Sequence, residues 1–200
     1  MSERYGRLFA VALCGGFIFL QLCIAQQSPA RPAKVLTPEQ KALQQQSKEY
    51  AAKRVKLQAQ AKQVFDEEMA REKAGDCPDA QTTYDFNICF GKQAAITDQN
   101  LKSFEGIIRE LNAPPPQMPG AADTDTPGIA GISLTPEHLL AEFDRVEQSW
   151  RQYREMACTA AFHQFGGGTG GPSFGLQCEL TLARSHMREL WMIYGMDLRL

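Results

Sequence analysis

The chain has 200 residues, of which 44% are hydrophobic and 22% charged, and its formal net charge is −2. This length fits one modest domain with appendages, and the near-neutral charge excludes a strongly basic nucleic-acid-binding protein. Sixteen glycines and eleven prolines are too few for a wholly disordered chain.

Residues 1–25 have the pattern of a secretory signal peptide. Arg4 and Arg7 precede the uncharged apolar stretch 8–22, and small residues follow it. An uncleaved membrane anchor is the alternative, because the stretch is barely long enough to span a bilayer. We favour cleavage, which predicts a periplasmic or secreted protein with no transmembrane span after the signal is removed.

A long helix is predicted over 37–75, after a polar lead at 26–36. Thr37 and Gln40 have the spacing of a capping box, and Gly75 is a C-terminal stop. A core-facing helix carries about three apolar residues per two turns, whereas helix 37–74 carries one per seven residues. We therefore expect this helix to be half solvated and to lie outside the core. Its sparse apolar residues are Leu43, Tyr50, Leu57 and Val64.

Residues 76–112 are predicted to form the first half of a helical domain. Thr82 and Asp85 have a capping-box spacing, so we expect the second helix to begin near Thr82 and to end before Asn112. A Pro/Gly-rich linker is predicted to follow at 113–134. The apolar seam of this helix comprises Phe90, Ala94, Thr97, Leu101, Phe104, Ile108 and Leu111.

Residues 135–200 are predicted to form the second half of the domain. The third helix ends near Phe165, a glycine-rich loop covers 166–175, and the last helix begins at about Leu176. No segment alternates convincingly with a period of two, so the predicted fold class is all-α. The architecture is a small disulfide-stapled helical bundle with an extra N-terminal helix.

Four cysteines remain after signal removal, an even set that is typical of two disulfides in an exported chain. Cys158 and Cys178 approach each other if the glycine-rich loop lets the last two helices lie antiparallel. Cys77 and Cys89 would lie roughly 18 Å apart in one straight helix, so their pairing requires residues 77–81 to fold back. Three connectivities exist, and we favour Cys77–Cys89 with Cys158–Cys178.

Short strings around these cysteines carry a family resemblance. They are Asp76-Cys77, Asp85-Phe86-Asn87-Ile88-Cys89, Asp98 to Leu101, Trp150-x-x-Tyr153-Arg154-x-x-x-Cys158 and Thr181-x-x-Arg184. Together they resemble the lysozyme inhibitor LprI-like N-terminal domain, a bacterial exported domain of largely unknown function. The resemblance covers about 77–112 and 135–195 and implies a small, helical, disulfide-bonded envelope protein.

Arg154 and Arg184 flank the predicted seam between the third and fourth helices. A guanidinium there can pair with a carboxylate such as Asp85 or Asp98, and we favour this structural role over ligand binding. For Trp150 and Tyr153 we favour a position in the core, and a position on a contact surface is the alternative. Thr181 is a candidate structural or contact residue, because it belongs to one of the strings that carry the family resemblance.

No catalytic, cofactor or metal motif is recognised. The glycines at 166, 168 and 171 have a dinucleotide-binding spacing, but that motif requires a preceding strand. Asp85 and Asp98 are roughly 20 Å apart by helix rise, too far to act on one bond. His138, His163 and His186 are scattered, and a metal set of Cys158, His163 and Cys178 competes with the predicted disulfide.

These observations predict a non-enzymatic, exported envelope protein that acts by protein–protein contact and binds no nucleic acid. A lysozyme-type hydrolase is one conceivable partner. The alternative is a structural or scaffolding module that uses helix 37–74 as an interaction arm. The third hypothesis is that the protein is an enzyme, and the sequence favours it least.

Overall fold

The computed structural model describes residues 36–115 and 135–198, and within these ranges the chain forms four α-helices and no strand. The all-α prediction is therefore confirmed. The predicted signal peptide and most of the predicted linker lie outside the described residues. The helices are α1 (Pro38–Ala74), α2 (Thr83–Leu111), α3 (Pro136–His163) and α4 (Gly171–Leu198).

Threonine side chains cap the first three helices. The Gln40 N–H donates to Thr37 Oγ1 at 3.2 Å, and the Thr37 N–H donates to Gln40 Oε1 at 3.0 Å. Thr82 and Asp85 form the same reciprocal pair at the start of α2, and Thr135 caps α3. These bonds satisfy N–H groups that helix geometry leaves without a partner. The starts of α1, α2 and α3 are thus set by their local sequences.

The fourth helix begins at Gly171, whereas the sequence predicted a start near Leu176. Pro172 fits a first helical turn, where its missing N–H costs no hydrogen bond. A Cβ on Gly171 would lie 3.2 Å from the Phe162 carbonyl oxygen, and one on Gly175 would lie 3.4 Å from the Phe162 Cβ. These glycines let α3 and α4 approach each other closely. From the sequence they were predicted to belong to a loop at 166–175.

All four helices contribute to the core. Phe104 of α2 is fully buried, and its ring lies 5.9 Å from that of Phe65 in α1 and 6.3 Å from that of Trp191 in α4. Phe143 of α3 meets Tyr194 of α4 edge to face at 5.5 Å. Among the helices that the structure describes, none combines the length and apolarity needed to cross a membrane.

The prediction that the first helix lies outside the core was wrong. Leu57, Ala61 and Glu68 of α1 are buried, and Val64 and Phe65 pack against the same cluster. The error has a physical cause. A count of large apolar residues does not detect a buried alanine, nor a buried glutamate whose charge is paired across the bundle.

Candidate functional site

Both predicted disulfides are present, and they lie at one end of the bundle. Cys77–Cys89 ties the turn after α1 to the second turn of α2, with a Cα–Cα distance of 6.0 Å. Cys158–Cys178 ties α3 to α4, with a Cα–Cα distance of 5.3 Å. The Asn87 side chain donates to the Thr169 carbonyl at 3.3 Å, which joins the start of α2 to the α3–α4 loop. We call residues 75–91 together with 158–178 the disulfide end.

The turn at 75–82 folds back as the Cys77–Cys89 pairing requires. Gly75 ends α1 with a positive φ of 88°, a conformation that glycine adopts readily. Asp85 faces Thr82 and pairs with neither arginine, so of the two suggested carboxylates it is not the partner of Arg154 or Arg184. The Thr82 hydroxyl and backbone N–H donate to the Asp85 carboxylate and hold its pKa below the ordinary value.

Large apolar side chains are exposed at the disulfide end. Tyr84 is 73% exposed and Phe174 is 49% exposed, and the Phe174 ring lies 4.0 Å from that of Phe165. A cleft of about 670 Å³ lies beside the first disulfide and is lined by Tyr84, Ile88 and Lys92, among others. Exposed apolar side chains that contact each other, as Phe165 and Phe174 do, are typical of a contact surface. The exposed set comprises Tyr84, Ile88, Phe162, Phe165 and Phe174.

A buried network of ion pairs and hydrogen bonds lies next to the disulfide end. Arg184 of α4 is 3% exposed, and it donates through Nε to Glu68 of α1 at 2.8 Å and through both terminal nitrogens to Asp76 at 2.7 Å. Thr97 and Asn100 of α2 also donate to Glu68, each at 2.7 Å. The network fixes the turn that carries Cys77 relative to three helices.

This network sets the protonation of its carboxylate. Burial alone would raise the pKa of Glu68, but hydrogen bonds from Thr97, Arg184 and Asn100, together with the charge of Arg71, lower it below the ordinary value. Glu68 is therefore the charged partner of Arg184 at neutral pH. Arg184 was a candidate from the sequence, whereas Glu68, which lies 116 residues away in the chain, was not.

Arg154 and Asp98 come together as one of the suggested pairs, with a distance of 2.6 Å between Arg154 Nη2 and Asp98 Oδ1. The Arg154 guanidinium also lies over the Trp150 ring, 5.5 Å from its centroid. Trp150 is half-buried against the core, but Tyr153 is 54% exposed, so its predicted core position was wrong. Thr181 is exposed and donates to the Gln177 carbonyl within α4.

A second buried polar cluster joins α2, α3 and α4. His186 Nε2 lies 2.9 Å from Glu147 Oε1, and the two side chains are 3% and 1% exposed. The Trp150 ring stacks on His186 with 4.0 Å between ring centroids. Glu105 approaches the same point from α2, so that one ligand atom from each of Glu105, Glu147 and His186 lies within 4.8 Å of the others.

Mutual proximity shifts the pKa values in this cluster. Burial, followed by the hydrogen bond and charge of Glu147, raises the pKa of Glu105 to about 7. Burial alone would lower the pKa of His186, but the hydrogen bond and charge of Glu147 raise it above the ordinary value. The sequence carried no local signal for this cluster, because its three members lie on different helices.

Comparison with known proteins gives one result. A family model described as "Lysozyme inhibitor LprI" matches residues 74–190, more than half of the chain. No curated protein and no solved structure matches. The match covers the disulfide end together with α2, most of α4 and all of α3, and it begins at the last residue of α1. The chain therefore belongs to the lysozyme inhibitor LprI family.

Proposed function

We propose that the protein is exported, acts in the cell envelope without catalysis, and binds and inhibits a lysozyme-type hydrolase. Membership of the lysozyme inhibitor family carries the proposal. The two disulfides agree with it, since such bonds persist in oxidising compartments. The N-terminal signal pattern at 1–25 supports export to the periplasm or the exterior.

The disulfide end is the surface that we assign to the partner. Aromatic residues dominate the energetics of protein interfaces, and this end exposes Tyr84, Phe162, Phe165 and Phe174. Two disulfides and the Glu68–Arg184 pair hold the backbone beneath them. A preorganised surface loses less conformational entropy on binding.

The shape of this end suits an inhibitor of a cleft enzyme. A glycoside hydrolase of the lysozyme type places two catalytic carboxyl groups in a substrate cleft. The α3–α4 loop at 164–170 is a short tip at the end of two antiparallel helices, and its glycines add little bulk. Entry of this tip into the cleft would exclude the substrate, while Phe165 and Phe174 at its base contact the rim.

Inhibition of cell-wall lysis tests the proposal. Purified lysozymes of different structural classes are assayed with increasing amounts of the wild-type protein, of Phe174→Ser and of Ile193→Ser. Ile193 is a matched control, because it is 58% exposed but lies near the far end of α4. We expect Phe174→Ser to weaken inhibition at least about tenfold and Ile193→Ser to inhibit like the wild type.

Two results would contradict the proposal in different ways. If the wild-type protein leaves every lysozyme fully active at molar excess, the inhibitor function is wrong. If Phe174→Ser and Ile193→Ser both inhibit like the wild type, the function stands but the disulfide end is not the contact surface.

A scaffolding role is the second candidate, and the exposed first part of α1 favours it. Up to Glu49, side chains of α1 are almost all exposed and polar, whereas burial begins at Leu57. Deletion of residues 38–46 removes much of this exposed part without touching Glu68. Loss of partner binding in this variant would favour scaffolding through α1, and retained binding would favour the disulfide end.

A further inference from the structure

We propose that Glu105, Glu147 and His186 form a binding site for one divalent transition-metal ion, with Zn²⁺ as the ion that fits best. The three ligands come from α2, α3 and α4, so a bound ion would cross-link three helices. This site is separate from the disulfide end and does not depend on the inhibitor function.

The spacing of the ligand atoms suits a tetrahedral ion. With bonds of about 2.0–2.2 Å, tetrahedral zinc holds its ligand atoms roughly 3.4 Å apart. Here the ligand atoms all lie within 4.8 Å of one another, and His186 Nε2 is 2.9 Å from Glu147 Oε1. Small side-chain rotations would bring the set to the required distances.

The ligand types favour a transition metal over Ca²⁺ or Mg²⁺. An imidazole nitrogen with two carboxylate oxygens is a set that zinc accepts, whereas calcium and magnesium prefer oxygen ligands alone. Three protein ligands leave the fourth position for water. Glu105 is 12% exposed at its side chain, and that side gives an ion access to the otherwise buried cluster.

Surrounding residues hold the imidazole in a ligating orientation. His186 Nδ1 lies 3.2 Å from Glu189 Oε2, so Nε2 is the nitrogen that faces the two carboxylates. A carboxylate on the outer nitrogen is a recurrent feature of metal-bound histidines. Trp150 stacks on the ring with an interplanar angle of 8° and restricts its rotation.

The charged groups around the cluster would accommodate a bound cation. Glu105 and Glu147 meet at one buried point, where the charges of His186 and Arg151 oppose theirs. Binding of Zn²⁺ would release to solvent the protons that His186 Nε2 and Glu105 carry, because a metal binds deprotonated ligands. Arg151 Nη1 lies 3.1 Å from Glu105 Oε2, but its side chain is 57% exposed and can swing into solvent. A divalent ion would replace Arg151 as the partner of Glu105, so removal of Arg151 should favour metal binding.

Calorimetric titration of the chelator-stripped full chain with Zn²⁺ alone tests the site. The variants are Glu105→Gln, Arg151→Gln and, as a control for surface histidines, His163→Gln. All are made in the same full-length chain, so that binding by Cys14 or Cys23 is common to every protein. Visible absorption after Co²⁺ addition then reports whether the bound ion is tetrahedral.

We expect Glu105→Gln to weaken binding by at least roughly tenfold, and Arg151→Gln to tighten it. His163→Gln should bind like the wild type, and all variants should keep the wild-type circular dichroism. Absence of Zn²⁺ binding by the wild type would overturn the proposal. So would a Glu105→Gln affinity within about twofold of the wild type.

Discussion

Removal of the Glu68 carboxylate should be among the most damaging single changes to this fold. Glu68 has no exposed surface and accepts hydrogen bonds from Arg184, Thr97 and Asn100. Breaking a buried ion pair from one side costs about 3–5 kcal/mol, because the remaining charge is left buried. Arg184 keeps both bonds to Asp76, so we expect Glu68→Ala to cost about 3 kcal/mol, the lower end of that range.

Urea unfolding of the oxidised protein, followed by circular dichroism, measures this loss. Asp144→Asn is the control, because the Arg109–Asp144 pair also joins two helices but is about half exposed. Exposed pairs contribute little, so the control should keep nearly the wild-type midpoint. A Glu68→Ala loss below about 1 kcal/mol, or a loss equal to that of the control, would refute the assigned role of the buried pair.

The double variant Glu68→Leu with Arg184→Met separates loss of the pair from loss of one partner. When both charges are replaced by apolar groups of similar size, the change in the free energy of unfolding is often small or favourable. Asp76 and Arg71 also lose a partner, but both are partly exposed, so we expect the double variant to lose less stability than the summed losses of Glu68→Leu and Arg184→Met. A double variant as unstable as the sum of its single variants would show that no buried charge penalty is relieved.

The same pair predicts how stability depends on pH. The folded-state pKa of Glu68 lies below its unfolded value. Its contribution is therefore fully present above the unfolded pKa, about 4.3, and is lost as pH falls through the lower folded pKa. The difference in the free energy of unfolding between the wild type and Glu68→Gln should shrink on acidification below pH ~4.3. A difference that stays constant there would contradict the assignment.

Three further variants test other parts of the fold. Replacing Cys158 and Cys178 by alanine should cost about 3 kcal/mol in urea unfolding, because the bond restrains the unfolded chain; an unchanged midpoint would contradict this. Thr82→Ala should cost about 1 kcal/mol through loss of the α2 cap, and Thr82→Ser should recover most of it. Phe104→Ala should cost about 3–5 kcal/mol and alter the fluorescence of Trp191, whose ring stacks near it; a normal emission spectrum would argue against this packing.

Local features of the fold could be predicted from the sequence because their causes are local. The caps at Thr37 and Thr82 and the stop at Gly75 depend on neighbouring residues, and all three are present. Helix rise showed that a Cys77–Cys89 bond requires residues 77–81 to fold back, and the favoured pairing is present, although the spacing alone left three connectivities open. The start of α4 was missed because Gly171 and Gly175 fit both a loop and a tight helix contact, which a sequence does not distinguish.

Features that depend on distant residues were not predictable. The burial of Glu68 in α1 depends on Arg184, Thr97 and Asn100, which lie on other helices far along the chain. Glu105, Glu147 and His186 have no characteristic spacing in the sequence, since each belongs to a different helix. Sequence periodicity reports which face of one helix is apolar, but it does not report which polar residues of two helices meet.

Hydrogen-exchange footprinting of the protein with and without an excess of an inhibited lysozyme tests the central proposal most directly. The proposal predicts slower amide exchange at 82–90 and 162–174, at the disulfide end, with no change at 38–50 in α1. Protection confined to 38–50, or no protection with any lysozyme, would contradict it.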